Sequence, residues 1–510
     1  MGFFKRLMGG PPKPRIARTR YAKYADLVGM DIGGLTEGSL GYRSANFFIV
    51  ASVELGNTTT KCILSATDLD EGRTYLLNKT VRLTKEVREP RPGEEIFGKT
   101  LWKKELTIGS VTEFVGEVIT ESLATAEVNR DRDLDFVVRS TGVTAGFATP
   151  EEVGSMIHAL AEGCLAAGIS PSKMIAPLSY DQVPERLKKY SKLNVAPFDG
   201  AVAGCLTPRT PSEIVANEME AELSTAGIKV GAKWIDFDFR NPVITFDFGT
   251  TLKGRITDSS LPYAHTVGSI TGLGGAIADS IVQGTGLVDA RQGSALEAYK
   301  PEKALKGKVD WKQVEAYVEE AHKHLRIEEV KPGCERFGTV PVNPSAAGEA
   351  GVYVVGCDIG VNGSNIPELR RLGGEIFREH GEGFLFAVID LVMARVTRRI
   401  VEEALSRGVI GRETSVGITG RAALTGMKPQ LILQELEKVG LYGKGETERR
   451  VVFVEDGLAL GASVMARCMF RLGTPKRPLG GNRGGPCVLP ERLKKLKIEK
   501  VGRSLYQAGG

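Results

Sequence analysis

The sequence predicts an α/β protein of two related lobes that face each other across a cleft. Three observations carry that expectation. The chain has 510 residues, which at about 100–200 residues per domain exceeds one small core and fits about two to four. One local pattern, an apolar strand, an acid-x-Gly-(Asn/Thr)-Thr turn and a second apolar strand, occurs first at 54–58 (Glu-Leu-Gly-Asn-Thr) and again at 247–251 (Asp-Phe-Gly-Thr-Thr). Glycine is the one compositional excess, 62 residues, about 12% against a usual value of about 7%. These glycines follow apolar runs, as in DFGTT, GLGGA and GITGRAALTG. Glycine in such places lets backbone approach backbone or an anion.

The remaining composition, 42% hydrophobic and 25% charged, excludes a disordered, collagenous or disulfide-scaffold chain. The net charge of +5 hides a division: residues 1–25 carry seven Lys/Arg and no acid, and residues 471–503 carry ten Lys/Arg and two acids. Without those two tails the body stands at −10, so nucleic-acid coating by the body is not expected. Seven cysteines without a CxxC pair suggest reduced thiols. The start of the chain lacks a signal-peptide core, and the most apolar stretch, 383–396, contains Asp390 and is too short to cross a bilayer. A cytoplasmic protein is expected.

The elements follow in order. Residues 1–25, with Pro11, Pro12 and Pro14, read as an irregular basic arm. A β-rich run at 47–53, the first turn, and Cys62-Ile-Leu-Ser read as strand, turn, strand. The stretch 109–128 places Val111, Phe114, Val115, Val118, Ile119 and Leu123 on one helical face. Residues 135–142 read as a strand entering a turn at Thr141 and Gly142. Thr149 as N-cap, Pro150 at the first position and Glu152 closing a capping box start a helix to about 167, with Val153, Met156, Ile157, Leu160 and Leu165 inward.

Near 240 the pattern restarts, with an inserted segment, charged and helical around 311–325, and a third strand-turn echo at Asp358-Ile-Gly360. That echo and Asp31-Ile-Gly33 lack the following Thr-Thr and read as hairpin turns. A long apolar helix (383–406), a strand ending in a glycine-rich turn (416–426), a helix (429–439) and a final strand-helix unit (451–469) complete the chain. The expected division is a basic arm (1–25), a first lobe (26–240), a second lobe (241–450) with an insert near 292–380, a returning helix (451–470) and a basic tail (471–510).

Duplicated acid-glycine-threonine turns suit phosphate binding. In a tight hairpin the successive N–H groups of Asn57, Thr58, Thr59 and Thr60, or of Thr250 and Thr251 on to Lys253, converge on an anion as a nest, and Gly56 and Gly249 keep the approach open. Glu54 and Asp247, at strand ends, are placed to hold water on Mg²⁺, which keeps several waters and takes few protein ligands. Lys61 reaches back to neutralise phosphate charge. No His/Cys pair, His322 and His324 included, has zinc-ligand spacing. No serine-histidine-acid order or covalent nucleophile stands out.

This ordered set resembles the actin/Hsp70/sugar-kinase ATPase superfamily, whose lobes are ribonuclease H-like. Glu54 to Lys61 matches its first phosphate loop, Asp247 to Thr251 its second, and Gly417-Ile-Thr-Gly420-Arg421 to Gly426 its adenosine motif; Ala459 to Ala462 resembles its closing helix. Gly272-Leu-Gly274-Gly275-Ala276 resembles the ATPases that reactivate corrinoid proteins. Over its whole length the chain resembles the methanogenesis marker 14 family of methane-metabolising archaea. The resemblance implies two actin-like lobes around a nucleotide cleft, with ATP and Mg²⁺ as cofactors and Glu54 and Asp247 as catalytic carboxylates that hold Mg²⁺ through water. It further implies contacts from Gly274, Gly275, Gly417, Gly420 and Arg421, and a partner in the methanogenesis machinery, such as a corrinoid or nickel-tetrapyrrole enzyme. A second copy of the chain is another candidate partner.

Two departures bear on this. Glu54 stands where the superfamily has Asp, and the iron–sulfur cysteines of reductive activators have no counterpart. A nucleotide-binding scaffold with little turnover and a small-molecule kinase therefore stand beside the ATPase reading. Asp199 is a third candidate for orienting water, and Arg421 either stacks on adenine or caps a turn.

Overall fold

The computed structural model describes residues 13–29, 47–141, 149–175, 181, 183, 185–189, 201–203, 211–260, 264–299, 309–337, 339–349 and 351–470. Asp31, Gly33, Gly142 and Asp199, residues 1–12 of the basic arm and the whole basic tail 471–510 lie outside the described residues.

Two sheets organise the molecule. The first has five strands in the spatial order Thr74–Leu83, Thr59–Asp68, Phe47–Leu55, Phe136–Thr141, Ala201–Ala203. Its first three strands are antiparallel neighbours and the last two join in parallel. The second sheet repeats this order with Thr266–Leu273, Thr251–Thr257, Val243–Phe248, Ser415–Thr419 and Val451–Val454, with the same senses. In both, the first strand in sequence lies at the centre and turns into its antiparallel neighbour through the acid-glycine-threonine turn. The expectation of two related α/β lobes is met at the level of strand order.

Layers of helix complete each lobe. On the first sheet, Ile108–Thr125 and Pro150–Ala166 bury Val111, Phe114, Val115, Val118, Val153 and Met156 against Ile49, Ala51, Val53 and Leu64. The second helix begins as its sequence requires, the Thr149 side chain accepting from the Glu152 amide in a capping box. Its Leu165, expected inward, is 40% exposed, because the apolar stripe has rotated off the core by the last turn. On the second sheet, Gly275–Gln283, the helix Ile366–Ser406 and Lys428–Val439 form one large apolar cluster with Ile244, Phe246 and Leu252.

Several boundaries differ from the sequence reading. Ile366–Ser406 starts well before 383 and is two helices joined at Gly381, whose φ of 78° is a glycine conformation. Residues 353–358 and 326–329, inside the expected insert, extend the second sheet past Thr266–Leu273. Asp358 does not head a hairpin: a short 3₁₀ turn, Val361–Gly363, follows it and leads to the long helix. Ile16–Ala17, inside the expected irregular arm, pairs in parallel with Phe453 and Val454 at the sheet's other edge; two residues are too few to show a strand period. Cys62, Cys164, Cys334 and Cys357 are free thiols, as expected, whereas Cys468, at the end of helix Gly457–Met469, is disulfide-bonded, because linear spacing does not show which cysteines folding brings together.

The division at 240 also blurs. Pro211–Trp234 lies against the second sheet, sharing a cluster with Phe239, Val243, Val452 and Val454. Gly457–Met469 lies against the first, with Phe48, Val50, Phe136 and Val138. The two helices cross between the lobes, and glycine sets how closely. A Cβ at Gly227 would stand 1.7 Å from the Gly457 carbonyl oxygen, and one at Gly461 would stand 1.8 Å from that of Leu223.

Candidate functional site

A cleft of about 570 Å³ runs between the lobes, within the size range of small-molecule sites. Both turns open into it. Of the residues singled out from the sequence, Glu54, Gly56, Asn57, Thr58, Thr59, Lys61, Asp247, Gly249, Thr250, Thr251, Gly275, Gly420 and Arg421 line it.

Three others do not line it. The Thr60 hydroxyl is buried against that of Thr84. Gly274 packs behind the second turn, where its amide donates to the Thr250 carbonyl. Gly417 sits mid-strand, where a Cβ would meet Phe239 and Ile228; it is a packing glycine. The Gly275 amide is also committed, to the Gly249 carbonyl at 2.7 Å, so this helix end fastens the second turn. Gly420 must be glycine: its φ is 93°, and a Cβ would lie 2.4 Å from the Phe248 carbonyl oxygen.

Each hairpin places a lysine directly across from its acid. Glu54 pairs in register with Lys61, and Asp247 with Lys253. Lys61 donates to Glu54 at 3.1 Å. Burial works against its charge, but Glu54 and then Asp247 outweigh burial and hold the ammonium above the ordinary lysine value. Lys253 turns instead to Glu220, on helix Pro211–Trp234. Glu220 is 1% exposed, and burial pushes its carboxyl up to about 7 despite Lys253.

Asp247 accepts from the Ser224 hydroxyl at 2.7 Å. Burial raises its carboxyl, and the charge of Glu54 adds to that. The sequence reading missed Glu220 and Ser224, which sit on a helix with no turn signature. It also passed over Lys253 as an acid partner, although its spacing echoes that of Lys61.

The turns meet through side chains. Thr250 donates to the Thr58 hydroxyl, which also accepts from the Trp102 indole and donates to Asp279. Asp279 holds its second oxygen against the Ser294 hydroxyl and the Ala295 amide, and burial pushes it up to about 6. At the other end, Lys79 pairs with Asp456, which begins helix Gly457–Met469.

Among the described residues, no three His, Cys, Asp or Glu side chains converge as a metal set. Two carboxylates in one cleft, Glu54 raising the Asp247 carboxyl by repulsion, fit Mg²⁺ in the way that ion binds, through few protein ligands with phosphates and water supplying the rest. No described helix is long and apolar enough to cross a membrane.

Comparison with known proteins places the chain among relatives. It is 51% identical over 497 residues to an uncharacterized protein of Methanothermobacter thermautotrophicus, covering 97% of this chain and 91% of the relative. It is 54% identical over 448 residues to the uncharacterized protein MJ1451 of Methanocaldococcus jannaschii, covering 88% and 91%.

Among solved structures, it overlaps the ethanolamine utilization protein EutJ of Carboxydothermus hydrogenoformans at a TM-score of 0.33 and 11% identity, over 82% of this chain and 89% of that one. It overlaps a reductive activator for corrinoid, iron-sulfur protein at 0.32 and 9%, over 85% and 64%. Likenesses of that size carry no functional argument. Residues 47–496 match the family described as "Uncharacterized protein conserved in archaea (DUF2114)", and it is to this archaeal family that the chain belongs.

Proposed function

We propose that the cleft binds ATP with Mg²⁺ and that the protein is an actin-like ATPase acting on a partner protein of methane metabolism, as the resemblance to the methanogenesis marker 14 family implies. One observation carries the reading. Two hairpins, each built on the central strand of the five-strand order that the two sheets share, present their acid-glycine-threonine turns to one cleft. Mg²⁺ would neutralise phosphate charge there. Glu54 and Asp247 hold its water, Lys61 offsets phosphate charge from the first sheet, and Gly249 keeps the approach to the second turn open. Glu220, buried within the electrostatic reach of Glu54 and Asp247, adds a carboxyl whose value near neutrality suits proton transfer with water.

A scaffold with little turnover has a specific observation in its favour: each acid at the turns already has an internal partner, Lys61 for Glu54 and Ser224 for Asp247. A small-molecule kinase requires an acceptor site that no described residue identifies. Equilibrium dialysis of the full chain against ATP and Mg²⁺ tests the common core, and no binding overturns it. Phosphate release with and without cell extract then separates ATPase from scaffold, and transfer of label to a metabolite would identify a kinase.

A further inference from the structure

The segment 15–24 crosses from one lobe to the other. At the edge of the second sheet, the Arg15 and Ala17 carbonyls accept from the Phe453 and Glu455 amides at 3.0 and 3.1 Å. Thr19 then fastens to the loop after that strand, its amide to Glu455 and its hydroxyl to Asp456. Arg20 donates to the Trp234 carbonyl. At the first lobe, the Leu76 amide donates to the Arg20 carbonyl at 2.8 Å and the Ala22 amide to the Leu76 carbonyl at 3.0 Å. Tyr24, 8% exposed, enters the core of the first lobe. A chain docked at both ends on different lobes resists their separation. Between these anchors Tyr21, 58% exposed, lines the cleft and lies within the electrostatic reach of Asp456, Glu455 and Arg421.

We propose that residues 15–24 are a strap holding the lobes at the separation the ligand needs, and that Tyr21 is the aromatic wall of the cleft against which a purine base stacks. This rests on the nucleotide reading above. A large ring anchored by backbone bonds on either side, open on its cleft face and set near a guanidinium, is the arrangement that stacks bases. Residues 15–24 of the basic arm are thereby part of the site.

The test uses the full chain with Tyr21→Ala, Tyr21→Phe and Ala22→Pro. The Kd for ATP with Mg²⁺ is measured together with hydrogen exchange at the Leu76 amide and a label-to-label distance between the lobes. Tyr21→Ala should weaken ATP about tenfold, the loss of one base-stacking aromatic, with Leu76 still protected, and Tyr21→Phe should restore binding. Ala22→Pro, which deletes a donor to Leu76, should expose that amide, lengthen the distance and weaken ATP. Unchanged affinity in Tyr21→Ala, or an exposed Leu76 with unchanged distance, overturns the proposal. Should the unaltered chain bind no ATP, the nucleotide reading falls and Tyr21 as a base wall falls with it. The strap is then decided by the Ala22→Pro distance alone, which supports it if longer and overturns it if unchanged.

Discussion

The Thr250 hydroxyl donates to the Thr58 hydroxyl at 2.8 Å, joining two turns that stand 192 residues apart in the chain. Thr58 is saturated by this bond, since it also accepts from Trp102 and donates to Asp279. The indole and the carboxylate belong to different lobes by sequence, yet Leu101 and Trp102 pack within the apolar cluster of the second sheet. Thr58 is therefore a lock between lobes as well as part of a turn. Thr58→Val keeps the shape but leaves the indole N–H without its acceptor and Asp279 without one donor. It should lower stability by about 1–3 kcal/mol in urea unfolding, whereas Thr58→Ser, which keeps the hydroxyl, should stay close to the parent.

The same lock makes stability depend on pH. Burial raises Asp279 from its ordinary value to about 6 in the folded protein, so between about pH 4 and 6 the folded state binds more protons than the unfolded state. Its contribution is fully present below the unfolded value and is lost as pH rises through 6. Unfolding free energies at pH 4, 5, 6 and 7 should therefore fall more with rising pH in the parent than in Asp279→Asn, by at most about 3 kcal/mol across the window. Parallel profiles would show that Asp279 titrates as it does in the unfolded chain.

The parts of this architecture that the sequence displays are those with a local signature. The Thr149 capping box, the apolar runs on either side of each turn and the period of 109–128 each depend on neighbours a few residues away, and each element appears within a few residues of its expected place. The turn residues of the site were legible for the same reason. Glu220 and Asp279 were not: each lies on a helix and gains its role only when folding buries it against a hairpin from elsewhere in the chain. The strap was hidden for a related reason, since Ile16–Ala17 gains strand character only from the edge of Val451–Val454.

Glycine content has a structural test at the crossing helices. Gly227→Ala would place a methyl 1.7 Å from the Gly457 carbonyl oxygen, contact that only backbone movement relieves. It should cost at least about 1–3 kcal/mol. Gly154→Ala is the matched control, because that helix position has no atom within 4 Å of the added Cβ; it should stabilise by about 0.4–1 kcal/mol through the unfolded chain. Thermal unfolding of both variants should move in opposite directions, and a Gly227→Ala protein as stable as the parent would mean that the helices do not cross at this contact.

Lys253 and Glu220 offer the sharpest separation of pairing from burial. Both are buried, at 7% and 1% exposure, and Lys253 serves as counter-ion to Glu220 while standing across the hairpin from Asp247. Lys253→Met strips the cation and leaves two acids, Glu220 and Asp247, in one low-dielectric region already raised by burial. Breaking such a pair from one side costs about 3–5 kcal/mol, whereas replacing both members with apolar residues of similar size is often neutral or stabilising. The double variant Lys253→Met/Glu220→Leu should therefore recover most of the stability that Lys253→Met loses. A double-mutant cycle in urea measures this directly. Additive losses would show that Lys253 answers to Asp247 rather than to Glu220, and would shift the electrostatic centre of the second hairpin from the helix to the turn.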